Sequence, residues 1–311
     1  MAVMETEKRS GVLITGGYGF VGRSLGQLLR RHGYRVISVD VAPSGTRSND
    51  TSCDITDVSQ LSAVFQRSRI DAIVHLAAIL PTVAQRQPLL ATQVNVQGSL
   101  HLLEMAREFA VQRFVFGSSL SVYGTCPVVR VVSEGDPAAP EDLYGAAKLY
   151  VEQLGQAYRE TCGIEFVSLR IGRVVGPGAR STTSAWRSEI FENLHTADAK
   201  IEIPYAESER ILLVHVDDVA RMLFELLRAE TLRGAVYNAA CESVKVGEVK
   251  STVQRLNPRL QVNLAEQEVA GNPRQVAWSR FAAEFGFKMV PIFEQLEKTA
   301  AENSGSWHGD D

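Results

Sequence analysis

The feature that most constrains this chain is a glycine-rich turn near its start, in the segment GVLITGGYGFVG at positions 11–22. An apolar run typical of a buried parallel strand leads into glycines at 16, 19 and 22, and a helical pattern follows. In a dinucleotide-binding turn, Gly16 would permit the sharp turn, Gly19 would admit a pyrophosphate, and Gly22 would let the helix pack on the strand. The free N–H groups of the helix N-terminus favour an anion there. The turn therefore predicts an α/β Rossmann fold, a doubly wound parallel sheet that binds a dinucleotide.

A second apolar run, at positions 35–39, ends in Asp40, about twenty residues after the turn. An acid at this position is expected to accept hydrogen bonds from the adenosine ribose hydroxyls. Its charge would repel a 2′-phosphate, so the sequence favours NAD over NADP. The alternative is that Arg47 folds back onto such a phosphate.

Two further strand ends are expected to border the cofactor. Asp54 and Ile55 follow a short strand where a Rossmann sheet contacts adenine, although Asp54 also fits a plain turn. The strand at 71–78 runs through Leu76 into the small residues Ala77 and Ala78, and small side chains there would leave room for a cofactor in the crevice. His75 lies among apolar neighbours and is interpreted as a packing residue.

Charge and composition exclude several classes of function. The net charge is −4 and no basic patch is evident, so nucleic acid is not an expected partner. No apolar run approaches the ~20 residues that span a bilayer, and the first ten residues lack an apolar signal core. The four cysteines are scattered without a C-x-x-C pair, and the six histidines show no ligand spacing. We therefore expect a cytoplasmic protein with no metal and no membrane partner.

A serine, a tyrosine and a lysine form the candidate catalytic set. The strand at 112–117 leads to Ser118 and Ser119, and Asp142 is expected to cap a helix carrying Tyr144 and Lys148 one turn apart. A free tyrosine has a pKa of about 10, and an adjacent ammonium favours the phenolate. Tyr144 could then take a hydroxyl proton while hydride passes to a nicotinamide, with a serine holding the substrate oxygen.

The remaining chain suggests two domains. The pattern predicts a polar tail at 1–10 and a dinucleotide-binding domain at 11–170, with its sheet completed by about 211–238. A substrate-binding region is expected at 171–210 and 239–301, and a second polar tail at 302–311. A long helix is predicted at 89–110, with Asn95 facing solvent or bonded to nearby backbone. A helix at 184–195 would place Trp186, Ile190 and Leu194 in the core.

Taken together, these motifs resemble the extended short-chain dehydrogenase/reductases, the NAD-dependent epimerase/dehydratase family, over about 11–301. The resemblance rests on segments 15–22, 75–78, 118–124, 169–177 and 215–219, with Asp40, Asn95, Tyr144 and Lys148. It implies a Rossmann domain with a small C-terminal substrate-binding domain, a homodimer formed through helices 89–110 and 142–162, and catalysis by Ser119, Tyr144 and Lys148. The implied NAD-binding residues are Gly16, Gly19, Phe20, Val21, Gly22, Asp40, Asp54, Ile55, Leu76, Ala77, Ala78, Asn95, Tyr144 and Lys148.

Departures from the family pattern narrow the expected chemistry. Sugar-nucleotide dehydratases carry Thr-Asp-Glu where this chain has Ser119, Leu120 and Ser121. The related decarboxylases also need a Glu at the third place, and the fucose-type epimerase-reductases a Cys at the second. A simple dehydrogenase or a 4-epimerase remains.

Arg173 replaces an Asn that lies near the nucleotide diphosphate in the sugar-nucleotide epimerases. It could bind a phosphate or carboxylate, or it could be a surface or salt-bridging residue. The hydroxyl-rich run at 181–186 is similar to that of sugar-acid dehydrogenases acting on erythronate-like acids. The candidate substrate residues are Pro81, Ser119, Ser121, Arg173 and Arg210.

The sequence thus predicts an NAD-dependent oxidoreductase of carbohydrate metabolism that acts on a secondary hydroxyl of a small carbohydrate-like or sugar-acid substrate. The first alternative is a UDP-sugar 4-epimerase that retains its NAD. The second is a non-catalytic regulator that senses a dinucleotide.

Overall fold

The computed structural model describes residues 10–41, 50–127, 129–179 and 184–304. The predictions for Arg47, for residues 181–183 of the hydroxyl run and for most of both tails lie outside these residues. The second tail was expected to begin at 302, but the last helix continues to Ser304.

The central sheet has seven strands in the order β10-β6-β5-β4-β1-β2-β3. Its strands are β1 (Gly11–Thr15), β2 (Arg35–Asp40), β3 (Asp50–Ser52), β4 (Ala72–His75), β5 (Arg113–Ser119), β6 (Glu165–Ile171) and β10 (Val236–Asn238). β1 pairs in parallel with both β2 and β4, so the strand order reverses there. Such a reversal is the dinucleotide-binding position of a doubly wound sheet, and the predicted fold class is confirmed.

Most helices lie where the periodicity predicts them, whereas those at 81–86 and 279–285 were not predicted. The helices are α1 (Phe20–Arg31), α2 (Val58–Arg67), α3 (Pro81–Arg86), α4 (Pro88–Thr92), α5 (Ser99–Glu108), α6 (Leu143–Cys162), α7 (Trp186–Glu192), α8 (Val216–Arg228), α9 (Val246–Leu256), α10 (Ser279–Phe285) and α11 (Ile292–Ser304). A π-helical segment, Gln93–Gly98, joins α4 to α5, so the predicted long helix is present but is wider in the middle. Trp186, Ile190 and Leu194 are buried, as expected.

Two smaller sheets contain one strand that the sequence predicted, at 210–215, and four strands that sequence patterns did not reveal. β7 (Arg173–Val175), β9 (Arg210–His215) and β11 (Glu242–Lys245) form one, and β8 (Lys200–Tyr205) pairs in parallel with β12 (Gln261–Gln267) in the other. β9 was expected to help complete the central sheet, but only β10 joins it. An isolated apolar run predicts a strand without specifying its partner.

The chain divides into two compact units, each with its own apolar core. The first comprises 1–117, 150–168 and 223–235, and its core includes Leu13, Ile73 and Phe114. The second comprises 118–149, 169–222 and 236–311, and its core includes Ile190 and Leu213. The segment 118–149, with the catalytic candidates, belongs to the second unit rather than to a domain ending near residue 170.

Candidate active site

The glycine-rich turn of the first unit is shaped by close backbone contacts. Gly16 has φ +65°, and a Cβ there would lie 2.8 Å from the nitrogen of Ala77. A Cβ on Gly22 would lie 2.3 Å from the carbonyl oxygen of Gly16, so both positions require glycine. Gly19 is the N-cap of α1, with neither a side-chain cap nor an acid in the first turn. The turn therefore offers a narrow backbone cradle at a helix N-terminus, which fits a pyrophosphate.

The acidic candidates of the first unit differ in what they contact. Asp40 ends β2, and its Oδ1 accepts a hydrogen bond from the N–H of Val41 at 2.9 Å. One oxygen of Asp54 accepts bonds from both the N–H and the hydroxyl of Thr56, each at 2.8 Å. This is the turn role considered for Asp54, while its adenine role remains a prediction. Ile55 is buried, and its side chain packs against Gly98 at the end of the π-helical segment.

His75 is a packing residue, as the sequence indicated. Its ring is fully buried, with Nδ1 2.7 Å from the Thr15 hydroxyl and Nε2 2.8 Å from the Ser99 hydroxyl. The half-buried Leu76, Ala77 and Ala78 follow it. The N–H of Leu76 donates to the carbonyl of Thr15, which holds this segment beside the glycine turn.

Asn95 does not face solvent. It is buried in the π-helical segment, where its amide accepts from the N–H of Ile79 at 2.7 Å and donates to the carbonyl of Ile79 at 2.9 Å. The partner is backbone, as one of the two expectations held, but it lies 16 residues away rather than nearby. Asn95 therefore fixes the segment that follows β4. Phe20 and Val21 are half-buried at the start of α1, and Pro81 is exposed at the start of α3.

In the second unit, local sequence places Tyr144 beside the segment 119–121, which we call the serine loop. Asp142 caps α6 by accepting from the N–H of Gly145 at 2.6 Å, which confirms the predicted cap. A Cβ on Gly145 would lie 2.6 Å from the carbonyl oxygen of Ser121, so glycine is needed for the helix to approach the loop. This puts Tyr144 in the first turn of α6, where the helix dipole favours negative charge.

Ser119 and Ser121 form a buried hydroxyl pair. The Ser119 hydroxyl donates to Ser121 Oγ at 3.0 Å and accepts from the N–H of Ser121 at 3.1 Å. Ser119 also hydrogen-bonds the phenol of Tyr144. Asn272, which sequence patterns did not single out, has its amide nitrogen 3.4 Å from Ser121 Oγ. No acid occupies positions 119–121, so an elimination acid of the dehydratase type is missing.

The phenol of Tyr144 is protonated at neutral pH in the free protein. Desolvation, reinforced by the charge of Asp142, raises the pKa of Tyr144 to about 12. The bond to Ser119 and the positive charge of Arg187 oppose this rise only in part. The buried Lys148 has its Nζ 5.6 Å from the centre of the Tyr144 ring. The expected phenolate therefore needs more positive charge than the free protein supplies.

Arg173 is neither a surface residue nor part of a salt bridge within the described chain. It is 8% exposed, and its Nη2 donates to the carbonyl of Ala270 at 2.9 Å. Its Nη1 is buried, and no described residue accepts a hydrogen bond from it. Arg173 is thus buried and bonded to backbone, and its binding of a phosphate or carboxylate stays a prediction.

Arg187 lies near Arg173 and was missed by the sequence analysis. Its Nε is likewise buried, without a hydrogen-bond partner among the described residues. Burial and then the charge of Arg173 lower the pKa of Arg187 to about 10. In the sequence Arg187 follows Trp186 within an apolar helical stripe, which indicated a structural helix and gave no sign of a site.

Arg210 has its guanidinium engaged elsewhere. Nη2 donates to the carbonyl of Ser243 at 2.7 Å, and Nε to the Ser243 hydroxyl at 3.3 Å. These bonds tie β9 to its antiparallel neighbour β11. Its substrate role remains a prediction.

Three general features of the described residues bear on the kind of site. Cys53, Cys126 and Cys241 are buried, Cys162 is exposed, and all four are free. Across the ranges described, no cluster of three or more His, Cys, Asp or Glu side chains could hold a metal ion. No described helix has the length and apolar character that crossing a membrane requires.

Comparison with known proteins assigns the family. The chain is 26% identical to a UDP-glucose 4-epimerase of Halalkalibacterium halodurans, over 96% of this chain and 95% of that protein. It is 27% identical to the mitochondrial L-threonine 3-dehydrogenase of Bos taurus, over 81% and 69% respectively. The structure of a Thermus thermophilus UDP-glucose 4-epimerase complexed with NAD matches with a TM-score of 0.81 and 26% identity, over 95% of this chain and 99% of that one. Residues 12–240 match the model of the NAD dependent epimerase/dehydratase family. The chain belongs to this family and is an NAD-dependent enzyme.

Proposed function

We propose that this enzyme is a dehydrogenase that transfers hydride from a secondary hydroxyl of a small carbohydrate-like or sugar-acid substrate to NAD. The observation that carries the proposal is the grouping of Ser119, Tyr144 and Lys148 in the second unit. A tyrosine with an adjacent cation and a hydroxyl partner can accept a proton from an alcohol. The serine loop lacks the acids that elimination would need, which leaves oxidation and reduction.

Each residue of the group has a distinct role in this proposal. Ser119 donates a hydrogen bond to the substrate oxygen and holds it against the phenol. Tyr144 takes the hydroxyl proton as its phenolate. Lys148 and the N-terminal end of α6 favour that phenolate electrostatically. Bound NAD supplies an acceptor for the hydride that leaves the carbinol carbon.

The first unit supports the choice of cofactor. The backbone turn at Gly16, Gly19 and Gly22 has no space for a side chain at positions 16 and 22, as expected where the backbone approaches a pyrophosphate closely. Asp40, at the end of β2, would accept hydrogen bonds from the ribose hydroxyls and disfavour a 2′-phosphate. Asn95 would act indirectly, because its amide already holds Ile79.

The alternative is a UDP-sugar 4-epimerase, which would use the same three residues and keep its NAD. The likeness to UDP-glucose 4-epimerases supports it, and the likeness to an L-threonine 3-dehydrogenase supports simple oxidation. A regulator that only senses a dinucleotide would have no use for the Ser119–Tyr144–Lys148 group.

We also propose that the enzyme is a cytoplasmic homodimer formed through the helical regions 89–110 and 142–162. These regions carry several exposed large apolar side chains, namely Leu89, Leu90, Leu143 and Tyr150, which an interface would cover. Light scattering at increasing concentration tests this assembly. A mass that stays monomeric throughout would contradict it.

The reaction is tested by following reduced-nicotinamide absorbance with NAD and a panel of sugar acids, polyols, aldoses, L-threonine and UDP-sugars. The proposal expects reduced cofactor to accumulate in proportion to an oxidised product of a small alcohol. Conversion of a UDP-sugar to its 4-epimer without net reduction would establish the alternative instead. No turnover and no isomerisation, with NAD bound, would favour the regulator.

A further inference from the structure

Arg173, which is buried, and Arg187, which is half-buried, form a positively charged pair in the second unit that the described residues do not neutralise. We propose that this pair binds the carboxylate of the substrate, so that the enzyme acts on a hydroxy acid. The inference rests on the proposed function and makes its substrate class more specific.

Each arginine has a buried guanidinium nitrogen that finds no hydrogen-bond acceptor among the described residues. Nη1 of Arg173 and Nε of Arg187 are inaccessible to solvent, and no described residue accepts a hydrogen bond from either. A buried donor left unpaired is costly, and two neighbouring buried cations are more so. A bound anion beside the pair would balance both charges at once.

Among the residues that the structure describes, no carboxylate serves the pair. No ion pair joins Arg173 or Arg187 to an acid within the described residues. The segment 180–183, which precedes α7 and lies outside them, reads Arg-Ser-Thr-Thr and so contains no acid. By contrast, Arg274 pairs with Glu209 at 2.7 Å, and Arg210 is bonded to Ser243.

One arginine of the pair, Arg187, also acts electrostatically on the phenol of Tyr144, the proposed proton acceptor. The charge of Arg187 acts on the phenol of Tyr144 and on Tyr205. The guanidinium carbon of Arg173 lies 5.8 Å from the centre of the Tyr205 ring. An anion held by the pair would therefore lie within electrostatic reach of the proton acceptor, which a small hydroxy acid with its carboxylate close to the carbinol would allow. In a nucleotide sugar, the sugar ring separates the diphosphate from the reacting C4.

The guanidinium group also suits the chemistry of this ligand. Its planar fork matches a carboxylate with two parallel hydrogen bonds, and two arginines can engage both oxygens. A diphosphate is the other anion that could satisfy the pair, and the experiment distinguishes the two sources.

The test measures binding by titration calorimetry to enzyme saturated with NADH, using ligand pairs that differ in the anion. D-erythronate is compared with erythritol, and L-threonine with L-threonine amide, and UDP-glucose is the diphosphate probe. The variants are Arg173→Met and Arg187→Met, which remove the charge but keep an apolar stem. Arg255→Met is the control, because Arg255 lies on α9 in an exposed pair with Glu297.

The proposal expects at least one acid to bind more tightly than its uncharged partner. Each site variant should bind that acid about 10- to 100-fold more weakly than the wild type, and the control variant should bind it with unchanged affinity. Equal affinity for acid and partner, arginine variants that bind the acid normally, or an absence of acid binding would overturn the proposal. Binding of UDP-glucose alone, weakened in both site variants, would assign the pair to a diphosphate and overturn the carboxylate.

A stability measurement separates a binding role from a structural one. If the pair exists to bind an anion, Arg187→Met should keep or raise the melting temperature of the ligand-free enzyme, because it removes an uncompensated buried charge. It should also lose the stabilisation that the acid gives the wild type. A variant that melts much lower without ligand would show a structural arginine and contradict the inference.

Failure of this inference and failure of the proposed function give different results. If an uncharged polyol is turned over and this turnover depends on Tyr144, the proposed dehydrogenase function holds and the proposed carboxylate-binding role is refuted. Acid binding that depends on both arginines, with turnover unaffected by Tyr144→Phe, would keep the carboxylate site and refute the tyrosine mechanism.

Discussion

The glycine turn of the first unit differs from the tyrosine–arginine cluster of the second, which consists of Tyr144, Arg173 and Arg187, in how its residues come together. In the turn, contiguous residues shape the backbone, and a Cβ on Gly22 would lie 2.3 Å from the carbonyl oxygen of Gly16. In the cluster, side chains from distant segments meet, and two buried guanidinium donors lack partners among the described residues. The turn is shaped by its own backbone, whereas the cluster carries charge that the described residues do not balance.

Tyr144→Phe should have the largest effect of the variants proposed here, because it removes the proton acceptor of the cluster while keeping the ring. We expect turnover to fall by about 100- to 10,000-fold, because general base catalysis is lost. NAD affinity should change little. Steady-state rates and NAD titrations measure both quantities.

Tyr150→Phe is the matched control for this substitution. Tyr150 lies on the same helix, is 53% exposed and loses the same hydroxyl. Its turnover should equal that of the wild type. If Tyr144→Phe were as active as Tyr150→Phe, the cluster would not be the catalytic group.

The turn is tested by Gly22→Ala, which adds one methyl group where the backbone leaves no space. We expect overpacking to cost about 1–3 kcal/mol, seen as weaker NAD binding and a lower melting temperature. Gly26→Ala is the control on the same helix, since its nearest neighbour is the flexible end of Arg30 at 3.2 Å. That variant should bind NAD normally and gain helix propensity. Equal NAD affinity in the two variants would contradict the backbone cradle.

Asp40→Ser should give the smallest effect, a change in cofactor preference. Removing the carboxylate loses hydrogen bonds to the ribose hydroxyls, so kcat/KM for NAD should fall by about 10-fold. The repulsion of a 2′-phosphate also disappears, so kcat/KM for NADP should rise. The ratio of the two values is the readout, and an unchanged ratio would remove Asp40 from the cofactor site.

The same contrast explains what could be predicted from the sequence. The turn, Asp40 and the Asp142 cap depend on residues close in the chain, so spacing alone indicated them. Asn95 was assigned to the right helix, yet its partner Ile79 depends on a π-helical segment that no pattern marked. Arg187 could not be found, because its role depends on Arg173 and Tyr144 in other elements.

The strands missed by sequence patterns follow the same rule. β8 pairs with β12, far along the chain, and β11 pairs with β9. β8, β11 and β12 each leave part of their residues exposed, so their apolar signal in the sequence is weak. Buried strands of the central sheet, such as β1 and β4, carry a strong one because nearly all their residues are apolar or small.

The central claim is that the phenol of Tyr144 is an acid in the free enzyme and becomes the base when NAD adds positive charge. Ultraviolet titration of the phenolate tests it without knowledge of the substrate, as the difference between wild type and Tyr144→Phe. Without cofactor, the account predicts a midpoint at a pKa of about 12. With saturating NAD it predicts a lower midpoint, because a positive charge favours the phenolate. A midpoint that NAD leaves unchanged, or raises, would contradict the account.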